Sequence, residues 1–176
     1  MRDTTHTDTL GRVAEDLAMI KLSTLFKDCI ISHVVNNQAH DVEIRRNDET
    51  LTKGICKIQV KSTSSKQHMR DSYHINIWYA KGAALGKKVG YDLDVLDFFL
   101  LYVYPEAKFY VVPSNAIGNR TGIQLYAGCA NPKRSTATLR THEKYLEAWW
   151  LIADFLGTQT EAPKEAQTAF ERETIN

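Results

Sequence analysis

The stretch from His40 to Ser62 constrains the fold most, because two apolar-rich runs flank a short polar turn. The first run reads HDVEI, the turn contains NDET, and the second run reads ICKIQVKS. This pattern predicts a β-hairpin. Because side chains alternate along a strand, Gln59 and Lys61 should share one face, while Ile58 and Val60 point the other way, into a core.

The predicted hairpin gathers the groups that a metal-dependent phosphodiesterase requires. Asp41 offers a charged oxygen, Gln59 an amide oxygen and Val60 a backbone carbonyl, and Mg²⁺ prefers oxygen ligands. A divalent cation stabilises charge on phosphoryl oxygens and acidifies the attacking water. Lys61 would lie beside the scissile phosphate as a cation and position or deprotonate that water. Glu15, on a predicted helix, would add a second carboxylate if the helix packs against the hairpin.

The same residues also have a purely structural interpretation. Asp41 would then be a turn residue that closes the loop before a strand. Gln59 and Lys61 would form the solvent face of an edge strand, where lysine opposes aggregation. Glu15 would be an ordinary solvated helix glutamate. In the functional interpretation, the missing side chain of Gly11, one turn before Glu15, lets the helix approach the hairpin. The residue pattern alone leaves both interpretations open.

The rest of the chain predicts an α+β domain with a mixed sheet, over residues 1–156, followed by a mobile tail at 157–176. The length of 176 residues suits one domain with a sizeable core. The predicted elements are a helix from Leu10 to about Lys27, strands at Ile30–Val35, Ser72–Tyr79, Val95–Tyr104, Phe109–Val112 and Ile123–Tyr126, a loop at Ser62–Asp71, a short helical turn at Ser114–Ile117 and a helix at His142–Leu156.

The formal net charge of +1 conceals basic segments, which suit contact with DNA phosphates. The loops that carry them should read the duplex, with Arg140 favoured as a reader of base edges. The candidate DNA-binding residues are Lys66, Arg70, Lys81, Lys87, Lys88, Lys133, Arg134 and Arg140.

Three scattered cysteines without zinc spacing predict reduced thiols. The polar start of the chain has no signal-peptide core, and no run is long and apolar enough for a membrane. These features predict a cytoplasmic, reducing location, at a nucleoid or an organelle genome.

The order of these motifs resembles the PD-(D/E)XK nuclease superfamily, and within it most closely the group I intron-encoded homing endonucleases. The resemblance runs from about Leu10 to Pro113, with a weaker match from Tyr145 to Trp150. It rests on Gly11-x-x-Ala14-Glu15 in the first helix, Asp41 at a strand start, and the run from Gln59 to Ser62. Two departures are Gln59, where the superfamily usually has an acid, and His40, where it has proline.

This resemblance implies a restriction-endonuclease-like core, a mixed β-sheet flanked by helices, with Glu15, Asp41, Gln59 and Lys61 as catalytic residues. It implies metal ligation by Asp41, Gln59 and Val60, with Mg²⁺ as cofactor and Mn²⁺ able to substitute. The implied activity is sequence-specific cleavage of double-stranded DNA. Because one domain has one active site and two strands must be cut, a homo-oligomer, a dimer or a tetramer, is expected.

Other functions remain open at this point. A Type II restriction endonuclease or a Holliday-junction resolvase would use the same chemistry. A non-catalytic DNA-binding module that keeps the nuclease fold is a further alternative, because Gln59 removes a charge from the expected metal site.

Overall fold

The computed structural model describes residues 4–34, 40–47, 54–67, 71–80, 88–118, 120–127 and 141–160, without the side chains of 4–7, 79, 80 and 88. The helices are α1 (Thr4–Leu25), α2 (Ser114–Ile117) and α3 (Trp150–Leu156). The strands are β1 (Cys29–His33), β2 (Val42–Arg46), β3 (Cys56–Thr63), β4 (Lys66–Gln67), β5 (Ser72–Asn76), β6 (Tyr79–Ala80), β7 (Lys88–Val89), β8 (Phe98–Val103), β9 (Lys108–Pro113) and β10 (Gly122–Leu125).

The central sheet has five strands in the order β1-β2-β3-β8-β9. Strands β3 and β8 are parallel, and the other neighbouring pairs are antiparallel. The predicted α+β class, mixed sheet and β2–β3 hairpin are therefore confirmed. Since β3 lies in the middle of the sheet, the interpretation of Gln59 and Lys61 as edge-strand residues is wrong.

Both faces of the central sheet are covered, which gives the protein two apolar cores. All six side chains of β8 are buried, as expected for a central strand. Phe98 and Leu100 face a core with α1 and α3, together with Ile58 and Val60. The alternate residues of β8, such as Phe99, face a second core built with α2, β5 and β10.

Helix α1 begins at Thr4, well before the predicted start at Leu10, and ends at Leu25. Its apolar positions recur every three or four residues, so one stripe faces the sheet. Ala14 and Leu22 are fully buried in the core. A β-carbon at Gly11 would meet nothing within 4 Å. The expectation that Gly11 lets the helix approach the hairpin is therefore wrong.

A second sheet has the order β10-β5-β4, and it corrects the predicted loop at Ser62–Asp71. Strand β3 continues to Thr63, because its last residues pair with β8, and the backbone of Lys66–Gln67 pairs with β5. The strand predicted at Ser72–Tyr79 ends at Asn76.

The helix predicted over His142–Leu156 is wrong in its first half. A 3₁₀ turn at Glu143–Tyr145 is followed by Leu146, which forms a bridge with Tyr110, and α3 begins only at Trp150. Glu147 causes the break. Its φ of 50° is left-handed, and its carboxylate accepts a hydrogen bond from the backbone N–H of Phe109 at 2.7 Å. Helical spacing of apolar residues could not reveal this contact.

Two further predictions concern the start of a strand and the C-terminal tail. The strand predicted from Val95 begins at Phe98, because the Asp97 carboxylate instead accepts the backbone N–H of Lys57 at 2.7 Å. Of the predicted tail at 157–176, residues 161–176 lie outside the described part of the chain. No helix in the described part combines the length and apolar character that crossing a membrane requires.

Two residues of α1 give a matched test of this packing. Leu22 is 0% exposed and Ile20 is 64% exposed. Leu22→Ala should lower the free energy of unfolding by about 2–5 kcal/mol, because it leaves a cavity in a core that relaxes only partly. Ile20→Ala should change it by no more than about 0.5 kcal/mol. Urea unfolding measures both. Similar losses for the two variants would contradict the described orientation of α1.

Candidate functional site

The backbone fixes Asp41 between two neighbouring strands, immediately before β2. Its N–H donates to the carbonyl of Ile58 at 2.9 Å, and its own carbonyl accepts the N–H of Val34 at 2.8 Å. The carboxylate therefore starts from a fixed point at the end of the hairpin. A side chain in such a position needs little further ordering to serve as a ligand or base.

The Asp41 carboxylate is held by the strand that faces it. One oxygen, Oδ2, accepts the backbone N–H of Val60 at 2.8 Å and the side-chain N–H of Gln59. Burial raises the pKa of Asp41 from 3.8 to about 6. The Val60 N–H and the nearby Lys61 ammonium lower that pKa, whereas the Glu15 carboxylate raises it. Asp41 therefore titrates close to neutral pH.

Gln59 is buried, with only 4% of its surface exposed. Its Nε2 donates to Asp41 Oδ2 and also to the backbone carbonyl of Val60 at 3.2 Å. The amide nitrogen thus contacts both Asp41 Oδ2 and the Val60 carbonyl oxygen, the two oxygens that were predicted from the sequence to bind the metal. Rotation of the amide would direct its oxygen to the same point. The donors are a carboxylate, a carbonyl and an amide, so their chemistry fits a hard cation such as Mg²⁺.

This set is poor in carboxylates. Among the described residues, no three His, Cys, Asp or Glu side chains come together as a metal-binding group. A cation here would depend on Asp41 for charge and on neutral oxygens for the rest of its protein ligands.

Lys61 lies beside the carboxylates and against an aromatic ring. Burial lowers its pKa, and Asp41 and Glu15 counteract that effect. Its Nζ is 5.2 Å from the centre of the Tyr91 ring, a cation–π contact. An ammonium with a lowered pKa releases a proton more readily than an exposed lysine does.

The structure also brings Glu15 to this site, from α1. Its carboxylate contacts His33, the residue of β1 that pairs with Val42 beside Asp41, and its charge raises the pKa of both Asp41 and Lys61. Its Oε2 lies 3.1 Å from Nε2 of His33. Four predicted residues therefore converge: Glu15, Asp41, Gln59 and Lys61.

Sequence reasoning missed His33, which holds Glu15 and lowers the pKa of Asp41. The histidines have no ligand spacing, and 18 residues separate His33 from Glu15. The one available signal is position: His33 ends β1 and pairs with Val42, the neighbour of Asp41.

Two clefts adjoin the site, and their charges differ. A cleft of about 980 Å³ contains Lys61 and Lys66, the second of which is ion-paired with Asp71, and no carboxylate is among its described lining residues. A cleft of about 560 Å³ that includes Tyr91 is lined by two carboxylates, Asp92 and Asp94, and one cation, Arg120. The first cleft is the one that suits a polyanion.

The predicted DNA-binding residues are only partly described. Lys66 is ion-paired with Asp71 at 2.6 Å and lies 6.0 Å from the centre of the Tyr73 ring. Lys88 belongs to β7, and its side chain is not described. The remaining candidates lie outside the described residues: Arg70, Lys81, Lys87, Lys133, Arg134 and Arg140.

Comparison with known proteins identifies a solved structure with a similar fold. No family model and no curated protein sequence matches the chain. Among solved structures, a bacterial homing endonuclease, I-Ssp6803I, matches with a TM-score of 0.65 and 20% sequence identity. The match covers 84% of this chain and 93% of the endonuclease chain. The protein therefore shares the fold of this homing endonuclease.

The raised pKa of Asp41 predicts a pH-dependent stability. Between pH 3.8 and about 6 the folded state holds a proton that the unfolded state has released, so stability falls as pH rises through this window. Above it, ionised Asp41 lowers the free energy of unfolding by at most about 3 kcal/mol, and solvent screening reduces that ceiling.

Asp41→Asn cannot ionise, so it should be more stable than the wild type at pH 8, by about 1–3 kcal/mol, and equally stable near pH 4. Urea unfolding of both proteins at the two pH values measures this difference. A difference of equal size at both pH values would contradict the burial of an ionisable carboxyl at this position.

Proposed function

We propose that this protein is a metal-dependent endonuclease that cuts double-stranded DNA. The observation that carries the proposal is the convergence of Glu15, Asp41, Gln59 and Lys61 at one end of a hairpin, beside a cleft without described carboxylates. The fold shared with a bacterial homing endonuclease supports the same activity. We also propose that the core belongs to the PD-(D/E)XK type and that cleavage is sequence-specific.

Asp41, the Val60 carbonyl and the Gln59 amide oxygen would hold Mg²⁺, or Mn²⁺ in its place. The cation would supply charge stabilisation at the phosphoryl oxygens and a more acidic water. Lys61 would bind the scissile phosphate through its ammonium and hold the attacking water. Its lowered pKa suits transfer of a proton to or from that water. Glu15 would hold Lys61 charged and in place, since its carboxylate raises the pKa of that lysine.

Cutting both strands requires two such sites, so we propose that the active form is a dimer or a tetramer of this chain. A homing role is preferred over restriction or junction resolution because of the shared fold. We also propose a reducing, cytoplasmic location, because the three cysteines are scattered and lack zinc spacing.

One observation supports a second function, that of a DNA-binding module without cleavage. The Gln59 amide nitrogen satisfies the Asp41 and Val60 oxygens in the place where a cation would bind. If that amide never rotates, the site holds no metal and the protein binds DNA without cutting it.

Cleavage by the wild type separates these two functions, and cleavage by Lys61→Ala tests the active site. With a randomised duplex library and Mg²⁺, the wild type should cut a subset of sequences, and Lys61→Ala should cut at least about a hundredfold to a thousandfold more slowly. The matched control is Lys108→Ala, an exposed lysine at the start of β9, which should cut normally. Binding without cutting by the wild type would favour the module, and full activity of Lys61→Ala would refute the active site.

Gln59→Glu tests the metal site. The added carboxylate keeps an oxygen toward the cation and adds charge, so Mg²⁺ and Mn²⁺ should bind more tightly. Gln59→Ala should bind neither ion measurably and should lose cleavage. Calorimetric titration with each ion measures the affinity apart from activity. If all three proteins bind the ions alike, Gln59 is not a ligand.

A further inference from the structure

The outer face of the second sheet carries a group of hydrogen-bonding side chains. In β5, Tyr73 and Ile75 are buried, whereas His74 and Asn76 between and after them are exposed. Gln124 of β10 lies directly opposite His74 in the antiparallel pairing. Two amides and an imidazole therefore point away from the core on adjacent strands.

Two of these side chains, Gln124 and His74, contact neighbours that limit their positions. The Gln124 amide donates to Oε1 of Gln67 at 3.2 Å and accepts the hydroxyl of Tyr126 at 3.3 Å. A β-carbon at Gly122 would lie 2.6 Å from Nε2 of His74. The His74 ring thus occupies space that only glycine leaves at position 122. Side chains that are already ordered lose less entropy when they bind.

This face continues into the cleft that holds Lys61. His74, Asn76, Gln67 and Trp78 line the same 980 Å³ cleft as that lysine. A duplex with its phosphate at Lys61 would therefore pass along the outer face of the second sheet. Because amide groups carry no charge, they add little to phosphate binding and are suited to reading hydrogen-bond patterns.

A pair of adjacent strands such as β5 and β10 matches one groove of DNA in width. The major groove, about 12 Å wide, admits a two-stranded β-ribbon, and each base pair shows a distinct set of donors and acceptors there. Glutamine and asparagine pair with adenine through its N6 and N7 atoms. A histidine ring nitrogen can donate to the guanine N7 or O6 acceptors.

We propose that β5 and β10 enter the major groove beside the cleavage site, and that Gln124 and His74 are specificity-determining residues that read base edges there. This inference rests on the proposed endonuclease function and deepens it by assigning the direct readout. The proposed base-reading residues lie on a sheet, whereas the sequence analysis predicted that Arg140, in a loop, reads base edges.

The test is the sequence profile of DNA selected from a randomised duplex library, by binding and by cleavage. Gln124→Ala should lose about tenfold to a hundredfold of its discrimination at one or two base positions and keep it elsewhere. His74→Ala should relax a different position. Gly122→Ala should relax the same position as His74→Ala, because the new methyl group displaces the ring.

The matched control is Asn47→Ala. Asn47 is an exposed amide that follows the last residue of β2, at the opposite end of that strand from Asp41. The sequence profile of this variant should equal the wild-type profile. Urea unfolding confirms that each variant folds. If a variant does not fold, Gln124→Arg provides the readout, with the preference shifting from adenine toward guanine at the same position.

Unchanged profiles for the Gln124 and His74 variants would overturn the inference, as would an equal loss on all sequences, which indicates phosphate contact. Equal discrimination on double-stranded RNA would also overturn it, because the deep and narrow major groove of RNA excludes the ribbon. Failure of the endonuclease function is a separate result: the wild type then cuts no DNA, while the binding profile still reports whether this face reads bases.

Discussion

The candidate site depends on the partly buried carboxylate of Asp41, which accepts hydrogen bonds from two N–H groups. Removing a carboxylate from water is costly unless hydrogen bonds and a nearby cation compensate. Here Val60 and Gln59 donate to it, and the Lys61 ammonium lowers its pKa. The dependence is mutual, because the Asp41 carboxylate counteracts the lowering of the Lys61 pKa. A change at either residue therefore alters the pKa of the other.

The sheet order explains why Gln59 is buried and why Asp41 and Lys61 are half-buried. Strand β3 is central, and both faces of the sheet are covered. A polar residue on β3 must therefore find a hydrogen-bond partner within the protein, and Gln59 finds two. The catalytic candidates occupy the end of the hairpin, where α1 adds Glu15 and the second sheet forms the wall of the cleft.

The sequence could predict the parts of this architecture that depend on the local periodicity of apolar residues. Alternation along β3 predicted that Ile58 and Val60 face one core and that Gln59 and Lys61 face away from it. The break at Glu147 could not be predicted, because it depends on a hydrogen bond to Phe109, 38 residues away. His33 was missed for the same reason, and the backbone pairing of Lys66–Gln67 overrides the polar composition that suggested a loop.

The amide at position 59 has a physical consequence that an acid would not have. A glutamate there would place a second carboxylate against Asp41, with Glu15 already raising the pKa of that residue. Like charges in one buried site cannot all ionise, so one group would stay protonated until a cation arrived. Gln59 instead donates to Asp41 and Val60, which satisfies both oxygens without any ion. The site can therefore stay folded before it meets a metal. The cost is weaker attraction for the cation, and phosphate oxygens of bound DNA would supply the missing negative charge.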